Sequence, residues 1–362
     1  MDILVLDESS VASLLFPFTW TRSVLDIRIG ILTLREKWQL IRGTAPLLNT
    51  DPSSPEDALT LPANILPTPA LIRDLEAAFR VNRLFPDPRF RQAALKAVLS
   101  GADRIGYPWD IYRLNDTAIR NDFSLLTHGR RSQPIPEYVQ AISPEHIFIE
   151  EGARLQPCML NASTGPIYIS RQSEIMEGAL IRGPFALGEG AVVKMGTRIY
   201  GATTVGPHST VGGEIKNAVI FGYSNKGHDG YLGDAVIGEW CNLGAGTSNS
   251  NLKNSAGEVK VWNPMTEKWM EAGIKCGLFM GDYSRSAINT SFNTGTVVGV
   301  CCNVFGTGLT PKYLSSFSWG YPNAIRYTLE KALRDISNWK KLKGQVLTDA
   351  EIQNLKHIFE KF

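Results

Sequence analysis

The sequence predicts an α/β domain followed by a parallel β-helix and C-terminal helices. The β-helix is predicted by aliphatic side chains that recur every six positions between residues 165 and 212. The members of this series are Ile169, Ile175, Ile181, Leu187, Val193, Ile199, Val205 and Val211. A period of six is neither helical nor the simple alternation of a strand, so each repeat is interpreted as a short strand and a turn. Stacked coils would then bury a continuous aliphatic column.

The pattern continues on both sides of this run after shifts of register. Ile149 and Leu155 precede it, and Tyr231, Ile237 and Leu243 follow it. A polar segment from about residue 249 to 273 interrupts the repeat, and in a solenoid such an interruption predicts a projecting loop, often on the binding face. The repeat then resumes with Ile274, Met280, Phe292, Val298 and Val304, with Ser286 as the one polar member. The alternative is a β-sandwich with accidental spacing.

The two flanks predict other structure. The N-terminal part begins with the strand-like Ile3–Leu6 and has helical stretches at 70–80 and 89–100, a mixed pattern that is typical of an α/β domain. In the C-terminal part, Thr348 and Glu351 form a capping box, so helices are expected there, packed against the open end of the β-helix. The helical positions upstream are Ile325, Leu329, Leu333 and Ile336. The predicted boundaries are 1–145, 146–310 and 311–362.

Composition excludes several classes of function. The 362 residues carry 37 basic and 35 acidic side chains without a long run of one sign, so no nucleic-acid or membrane partner is expected. No apolar stretch is long enough to predict a transmembrane helix, and the acidic start lacks a signal-peptide pattern, so a cytoplasmic protein is expected. The five cysteines lack CxxC spacing, which predicts buried free thiols and no metal site.

The segment 214–254 contains the side chains most suited to chemistry. His228 lies between Gly227 and Gly230, which would let a ligand come close, and a neutral imidazole accepts a proton near pH 7. Amide and cationic side chains suited to a phosphorylated sugar lie around it, namely Lys216, Asn242, Asn249, Asn251 and Lys253. The alternative is that His228 is an exposed turn residue and the asparagines cap loops.

Residues 150–310 resemble the acetyltransferase half of the bifunctional GlmU family, which joins glucosamine-1-phosphate N-acetyltransferase and uridyltransferase activities. The family motif K-x-G-H-x-x-Y-x-G-D, followed by N-x-G-A-G-T and an Asn, carries this resemblance. It is matched by Lys226, Gly227, His228, Tyr231, Gly233, Asp234, Asn242, Gly244, Ala245, Gly246, Thr247 and Asn251, and upstream by Arg198, Glu214 and Lys216. The whole chain is more similar to a shorter branch of the family, with Trp262 in the interrupting loop and Phe317–Gly320 after the repeats.

The resemblance implies a left-handed, hexapeptide-repeat β-helix and an N-acetyltransferase that uses acetyl-CoA as co-substrate. It implies that His228 takes the proton of the amino group of glucosamine 1-phosphate and that the Ala245 N–H stabilises the oxyanion. Asn251 belongs to the same catalytic group. The implied substrate-binding residues are Arg198 and Lys216 for the phosphate, Tyr231, Asn242 and Asn251 for the sugar, and Lys226 and Lys253. Those implied for CoA are Gly281, Asp282 and Asn293.

Family members are trimers with sites built between subunits, so a homotrimer is expected. The family's Asn-Tyr-Asp is replaced here by Asn251-Leu252-Lys253, and this departure leaves the acceptor sugar open. The alignment also leaves open whether Lys253 or Lys260 replaces a family lysine.

For the N-terminal part, the resemblance implies a sugar nucleotidyltransferase domain, but Leu6–Ser10 replaces the family's Gly-rich phosphate loop. Arg22 and Arg28 would contact nucleotide phosphates. Asn64–Pro67 resembles a turn that supplies a Mg²⁺-binding Asp, which is absent here. Asp110 is either a replacement ligand or a structural residue, so a Mg²⁺ cofactor is doubtful.

Two other functions remain as alternatives. One is nucleotidyl transfer alone, with the β-helix as a trimerisation scaffold. The other is a non-catalytic, sugar-nucleotide-binding protein in which both sites are relics.

Overall fold

The computed structural model describes residues 4–51, 59–84 and 88–362. In the N-terminal part, strands β1 (Leu4–Asp7), β2 (Leu47–Leu48) and β3 (Leu59–Pro62) form a parallel sheet in the order β2-β1-β3. Ile3 of the predicted first strand lies outside the described residues. The helices are α1 (Leu34–Arg42), α2 (Pro69–Leu84), α3 (Pro88–Ser100), α4 (Pro108–Arg113) and α5 (Asn115–Thr127), with short 3-10 turns at Ala12–Leu15, Phe18–Trp20 and Val24–Asp26.

Local sequence explains where these helices begin and end. Thr33 and Glu36 form a capping box at the start of α1, and Gly43 ends the helix in the left-handed conformation. Helices α2 and α3 confirm the two helical stretches that the sequence predicted.

The β-helix has three faces. The first face contains Gln140–Ile142, Met159–Asn161, Leu180–Arg182, Arg198–Tyr200 and the starts of the long strands Glu214–Ile220 and Tyr231–Ile237, and Ser248–Asn249 and Ser291–Phe292 continue it. The second face contains Ile147–Ile149, Ile167–Ile169, Phe185–Leu187, Thr203–Val205, the ends of the long strands, Leu278–Met280, Thr296–Val298 and Tyr313–Leu314. The third face contains Arg154–Leu155, Glu174–Ile175, Val192–Val193, Thr210–Val211, Asn225–Lys226, Asn242–Leu243, Arg285–Ser286, Asn303–Val304, Ser318–Trp319 and the antiparallel Ile325–Arg326.

The predicted parallel β-helix is confirmed by the register of these strands. Ile181 pairs with Ile199, and Val193 pairs with Val211, so each regular coil takes three six-residue repeats. All eight members of the predicted series point inward and are buried in one hydrophobic core. Because every backbone is paired with the coils above and below it, the faces are rigid and present outward side chains at fixed spacing.

Three details of the predicted repeat are wrong. Leu232, which is 1% exposed, occupies the inward position that the sequence assigned to Tyr231, and Tyr231 points outward instead. Ile274 is 51% exposed and lies outside the column. The coils also extend past the predicted bounds of 146–310, from Gln140–Ile142 to Ser318–Trp319, because short strands there still pair with the β-helix.

The N-terminal part packs on the outward side of the second face. Phe148 and Tyr168 contact one end of it, and Val219, Val236 and Phe279 share a core with β1, α1 and α4. The segment that interrupts the repeat forms an antiparallel hairpin, Lys260–Asn263 with Lys268–Glu271.

Part of this insertion joins the same core, contrary to the predicted projecting loop. Val259 and Val261 are buried there, and Asn263 donates a hydrogen bond to the carbonyl of Ser13 at 3.1 Å. The apolar side chains of the insertion therefore anchor it on the N-terminal part.

Helices α6 (Leu329–Leu342) and α7 (Asp349–Lys361) confirm the predicted helical tail from Leu329 onward, including its capping box at Thr348. The helical position predicted for Ile325 is wrong, because Ile325–Arg326 pairs antiparallel with Ser318–Trp319. Helices α6 and α7 lie along the corner between the second and third faces, and not across the open end as predicted, because the corner offers an apolar row to cover. That row is Trp240, Tyr283, Val300, Cys301 and Phe317. No helix of the described residues is long and apolar enough to cross a membrane. All five cysteines are buried and free, as expected.

Candidate functional site

His228 lies on the corner that leads from the third face to the first. Its side chain is exposed, and glycine is required beside it because a Cβ on Gly230, whose φ is 121°, would lie 2.1 Å from the carbonyl oxygen of Thr247. The Gly246 N–H donates a 3.0 Å hydrogen bond to the carbonyl of Asp229, which ties this corner to the next coil. The imidazole is therefore presented to solvent from a tightly held backbone.

Ala245 occupies the same corner one coil further on. The Gly246–Asp229 hydrogen bond places it beside the His228 loop, and its own carbonyl accepts from Asn289 at 2.7 Å. Among the described residues, no acceptor is hydrogen-bonded to the N–H of Ala245. The structure thus brings the predicted base and the predicted oxyanion donor together.

The first face carries three of the predicted substrate-binding side chains on consecutive coils. In the strand register, Arg198 pairs with Glu214 and Glu214 pairs with Tyr231. Tyr231 lies three residues after His228. The Arg198 guanidinium is 54% exposed and lies 3.8 Å from the carboxylate of Glu214, so this ion pair is loose. Lys216 has no carboxylate partner among the described residues, and its Nζ lies 5.7 Å from the ring centre of Tyr200.

An open groove of about 360 Å³ follows this face away from His228. Tyr200, which the sequence analysis did not single out, donates a 2.6 Å hydrogen bond to Glu214 in its wall. The lining residues are Met159, Asn161, Leu180, Ile181, Arg182, Arg198, Ile199, Tyr200 and Glu214. Strand register would have found Tyr200, because it is the direct neighbour of Lys216.

Tyr231 is held by an amide and carboxylate network. Asn251 donates to the Tyr231 hydroxyl at 3.1 Å and to Asp234 at 2.6 Å, and Asn217 donates to the other oxygen of Asp234 at 2.7 Å. The phenol lies over Gly233, where a Cβ would come within 2.2 Å of its oxygen. Burial raises the pKa of Tyr231, so it remains a neutral hydrogen-bonding group. Asn217 was missed in the sequence.

Lys226 does not reach the first face, although the resemblance implied a substrate contact. It is 3% exposed and occupies an inward position in the core of the β-helix. Its Nζ donates to the carbonyls of His228, at 2.6 Å, and Gly212, at 3.1 Å. Burial lowers the pKa of Lys226 to about 8, and the nearby Asp229 opposes that change.

Two other predicted sugar ligands lie away from the first face. Asn242 is on the third face, between Asn225 and Arg285, because its strand precedes the corner. Lys253 lies in the insertion and donates to the carbonyl of Glu258. Neither contact joins them to Tyr231.

The residues implied for CoA are dispersed. Gly281 lies against Pro17, and Asp282 is buried beside it, so both face the N-terminal part instead of His228. Asn293 lies on the corner between the first and second faces, where its side-chain oxygen accepts from the N–H of Thr294 at 2.8 Å. Within one chain, these three residues are therefore not placed to contact the same CoA molecule.

The arginines implied for nucleotide phosphates are already paired. Arg22 forms ion pairs with Asp282 and, at 3.3 Å, with Glu239. Burial opposes its charge, but these two carboxylates hold the pKa of Arg22 above its ordinary value. Arg28 is largely buried, donates to the carbonyl of Ile31 and lies 3.7 Å from Glu36. Neither guanidinium is open to a nucleotide.

The N-terminal carboxylates do not fit a Mg²⁺ ion. Asp110 accepts the N–H groups of Gly106 and Tyr107, at 2.9 and 2.8 Å, and so caps the start of α4, which favours its structural interpretation. In the Leu6–Ser10 loop, Asp7 accepts from Ser9 and Glu8 accepts from Ser23. No group of three potential metal ligands among His, Cys, Asp and Glu occurs within the described ranges.

Comparison with known proteins supports the predicted resemblance. Residues 3–131 match a family model described as sugar nucleotidyl transferase. The chain is 33% identical over 108 residues to the bifunctional protein GlmU of Methanocaldococcus jannaschii, which is 30% of this chain and 26% of the relative. It is 36% identical over 92 residues to a bifunctional sugar-1-phosphate nucleotidylyltransferase/acetyltransferase of Sulfurisphaera tokodaii, which is 25% of this chain and 23% of the relative. Over these segments the chain is similar to GlmU proteins.

The matched segments span about a quarter of the length of these two relatives. Among solved structures, it is similar to an Arabidopsis UDP-N-acetylglucosamine acyltransferase, with a TM-score of 0.31 and 13% identity. That match covers 63% of this chain and 90% of the other. At this score the likeness says nothing about activity.

Proposed function

We propose that the protein transfers an acetyl group from acetyl-CoA to the amino group of an amino-sugar phosphate, with His228 as the base. The observation that carries this proposal is the joint position of His228 and Ala245 on neighbouring corners, at the start of a face with spare cationic groups. A β-helix that served only as a scaffold would not need an exposed imidazole between two glycines. One of these, Gly230, cannot be replaced without a clash.

The proposed reaction needs one proton carrier and one hydrogen-bond donor. The amino nitrogen attacks the thioester carbonyl while the His228 imidazole takes its proton. The N–H of Ala245 donates to the oxyanion of the tetrahedral intermediate, a position where a fixed donor contributes most. When the carbon–sulfur bond breaks, the CoA thiolate leaves and takes the proton from the imidazolium, which restores the neutral base.

The first face supplies the chemistry for an acceptor with a phosphate and hydroxyl groups. Arg198 is only loosely paired, and Lys216 forms no ion pair with any carboxylate that the structure describes, so both cations are available to a phosphate. The Tyr231 hydroxyl and the Asn251 amide are available to sugar hydroxyls while their mutual hydrogen bond fixes their direction. Glucosamine 1-phosphate is the acceptor that we propose, with Lys253 in the insertion as a determinant of the exact sugar.

We also propose a homotrimer in which a second subunit completes each site. Support comes from apolar side chains that are exposed on and beside the first face, Ile142, Leu180 and Met195, because water-exposed apolar patches commonly mark interfaces. The buried free thiols suit a reducing compartment such as the cytoplasm. Uridylyl transfer by the N-terminal part has the family match in its favour, but its predicted phosphate ligands are engaged in internal ion pairs.

The test is release of free CoA from acetyl-CoA with glucosamine 1-phosphate, compared between the native protein and His228→Ala. We expect release to require the sugar and to fall by about 100-fold or more in the variant, as for loss of a general base. His146→Ala, which removes an exposed histidine on the first coil, is the matched control and should retain full activity. Equal rates in native protein and His228→Ala would reject the base assignment.

A further inference from the structure

Lys226 occupies an inward position that the coils directly before and after it fill with aliphatic side chains, while Ser286 fills it one coil further on. In the same inward row of the third face, Val211 precedes it and Leu243 follows it, and all three are buried. Placing an ammonium group in such a column opposes folding, because the charge leaves water and no carboxylate of the described residues forms an ion pair with it. A column selected for stability alone would have an aliphatic residue here.

The contacts of the ammonium group connect two coils at the corner that carries His228. Nζ donates to the carbonyl of His228 at 2.6 Å and to that of Gly212 at 3.1 Å. The coils are close at this point, since a Cβ on Gly212 would lie 2.7 Å from the carbonyl oxygen of Gly227. One side chain therefore fixes, from inside the core, the peptide that carries the imidazole.

We propose that Lys226 is a positioning residue for acetyl transfer, whose ammonium group holds the His228 peptide and thereby sets the direction of the imidazole. This inference rests on the proposed function. The imidazole is exposed, so the packing around its ring does not direct it and the backbone must. A misplacement of the base by about 1 Å is enough to lower a rate by about 100-fold.

The charged form of Lys226 matters for this role. Asp229 is the carboxylate that acts on it, whereas Val211 and Leu243 face it with apolar groups. Burial lowers its pKa to about 8, so the ammonium form prevails at neutral pH and is lost in mild alkali. A neutral amine keeps two N–H groups but loses the charge that strengthens both hydrogen bonds.

The decisive variant is Lys226→Met, which fills the column without the ammonium group, with Leu243→Met as the matched control in the next coil. We expect kcat to fall by about 10- to 100-fold in Lys226→Met, with an unchanged KM and an unfolding temperature that is not lowered. We expect kcat of the native protein to decline above about pH 8, where Lys226 loses its proton, and this decline to be absent from the variant. Native kcat in Lys226→Met, or a loss that only follows a lower unfolding temperature, would overturn the proposal.

A second measurement separates this inference from the proposed reaction. Amide hydrogen exchange of residues 227–230, corrected for the intrinsic effect of pH, should be faster in Lys226→Met than in the native protein at pH 7. The native loop should approach the variant's rate at pH 9.5. Equal exchange in both proteins would overturn the positioning role even if acetyl transfer is confirmed. Faster exchange in a protein without acetyl transfer would reject the reaction and leave the loop contact established.

Discussion

Two arginines that the family resemblance assigned to phosphate binding have opposite environments. Arg22, in the junction between the N-terminal part and the second face, has a side chain that is 9% exposed and ion pairs with Asp282 and Glu239. Arg198, on the first face, is 54% exposed and has one carboxylate at 3.8 Å. In the junction the charged side chains are neutralised by internal ion pairs, whereas on the first face the cations remain available to a ligand.

The physical reason lies in solvation. A charge buried between two packed surfaces must be neutralised by a partner, since water no longer stabilises it. Thr21 and the N–H of Glu239 complete the set around Asp282, at 2.7 and 2.8 Å, so this carboxylate is engaged within the chain. On the first face, water supplies that stabilisation. Residue type alone therefore does not decide function, and burial does.

The largest effect that we expect comes from breaking the junction. Arg22→Met should lower the free energy of unfolding by about 3–5 kcal/mol, because Asp282 stays buried without its counter-charge. Urea denaturation of the purified variant measures this change.

Arg198→Met is the matched control for that comparison. It should change the free energy of unfolding by no more than about 0.5 kcal/mol, as is usual for a loose, exposed pair. Equal destabilisation by the two substitutions would remove the distinction between a structural and an available arginine.

A smaller effect on stability is expected from the titration of Lys226, at the corner that carries His228. The pKa of Lys226 is lowered from 10.5 to about 8 in the folded protein, so between these values the unfolded chain holds a proton that the folded chain lacks. Raising the pH therefore favours folding, and the contribution of Lys226 to stability should increase between pH 8 and 10.5, by about 3 kcal/mol at most.

The measurement is the difference in unfolding free energy between the native protein and Lys226→Met across that range, which cancels other titrating groups. A difference that stays constant with pH would show that Lys226 is not buried in its charged form. An opposite slope would indicate a partner carboxylate that raises its pKa.

The β-helix was predictable because its period is local. Every sixth residue from Ile169 to Val211 is inward, and no distant contact is needed to see the pattern. The prediction became wrong where coils change length. From Val211 to Lys226 the spacing is 15 residues and from Lys226 to Leu243 it is 17, so a strict six-residue count placed Tyr231 inward and missed Leu232.

The candidate site was predictable in part. The motif located His228, Ala245 and Tyr231, which the structure brings to one corner and one face. It did not show that Lys226 points inward, because a basic residue in an aliphatic column contradicts the rule that charged side chains are exposed. Nor did it show that the second face is covered, since contacts between parts far apart in sequence, such as Asn115 with Ala202, follow no local pattern.

Apart from the control, the smallest effect on the free energy of unfolding is expected for Asp110, in the N-terminal part. This carboxylate accepts two backbone N–H groups at the start of α4, so Asp110→Ala should lower the free energy of unfolding by about 1 kcal/mol, as for loss of a helix cap. Asp110→Asn keeps an acceptor oxygen and should recover most of that loss. If Asp110 is structural, adding Mg²⁺ will raise the unfolding temperature of native protein and Asp110→Ala equally or not at all. A Mg²⁺-dependent rise that disappears in both variants would instead identify Asp110 as a metal ligand, and would place the N-terminal part among regions whose charges are kept for a ligand.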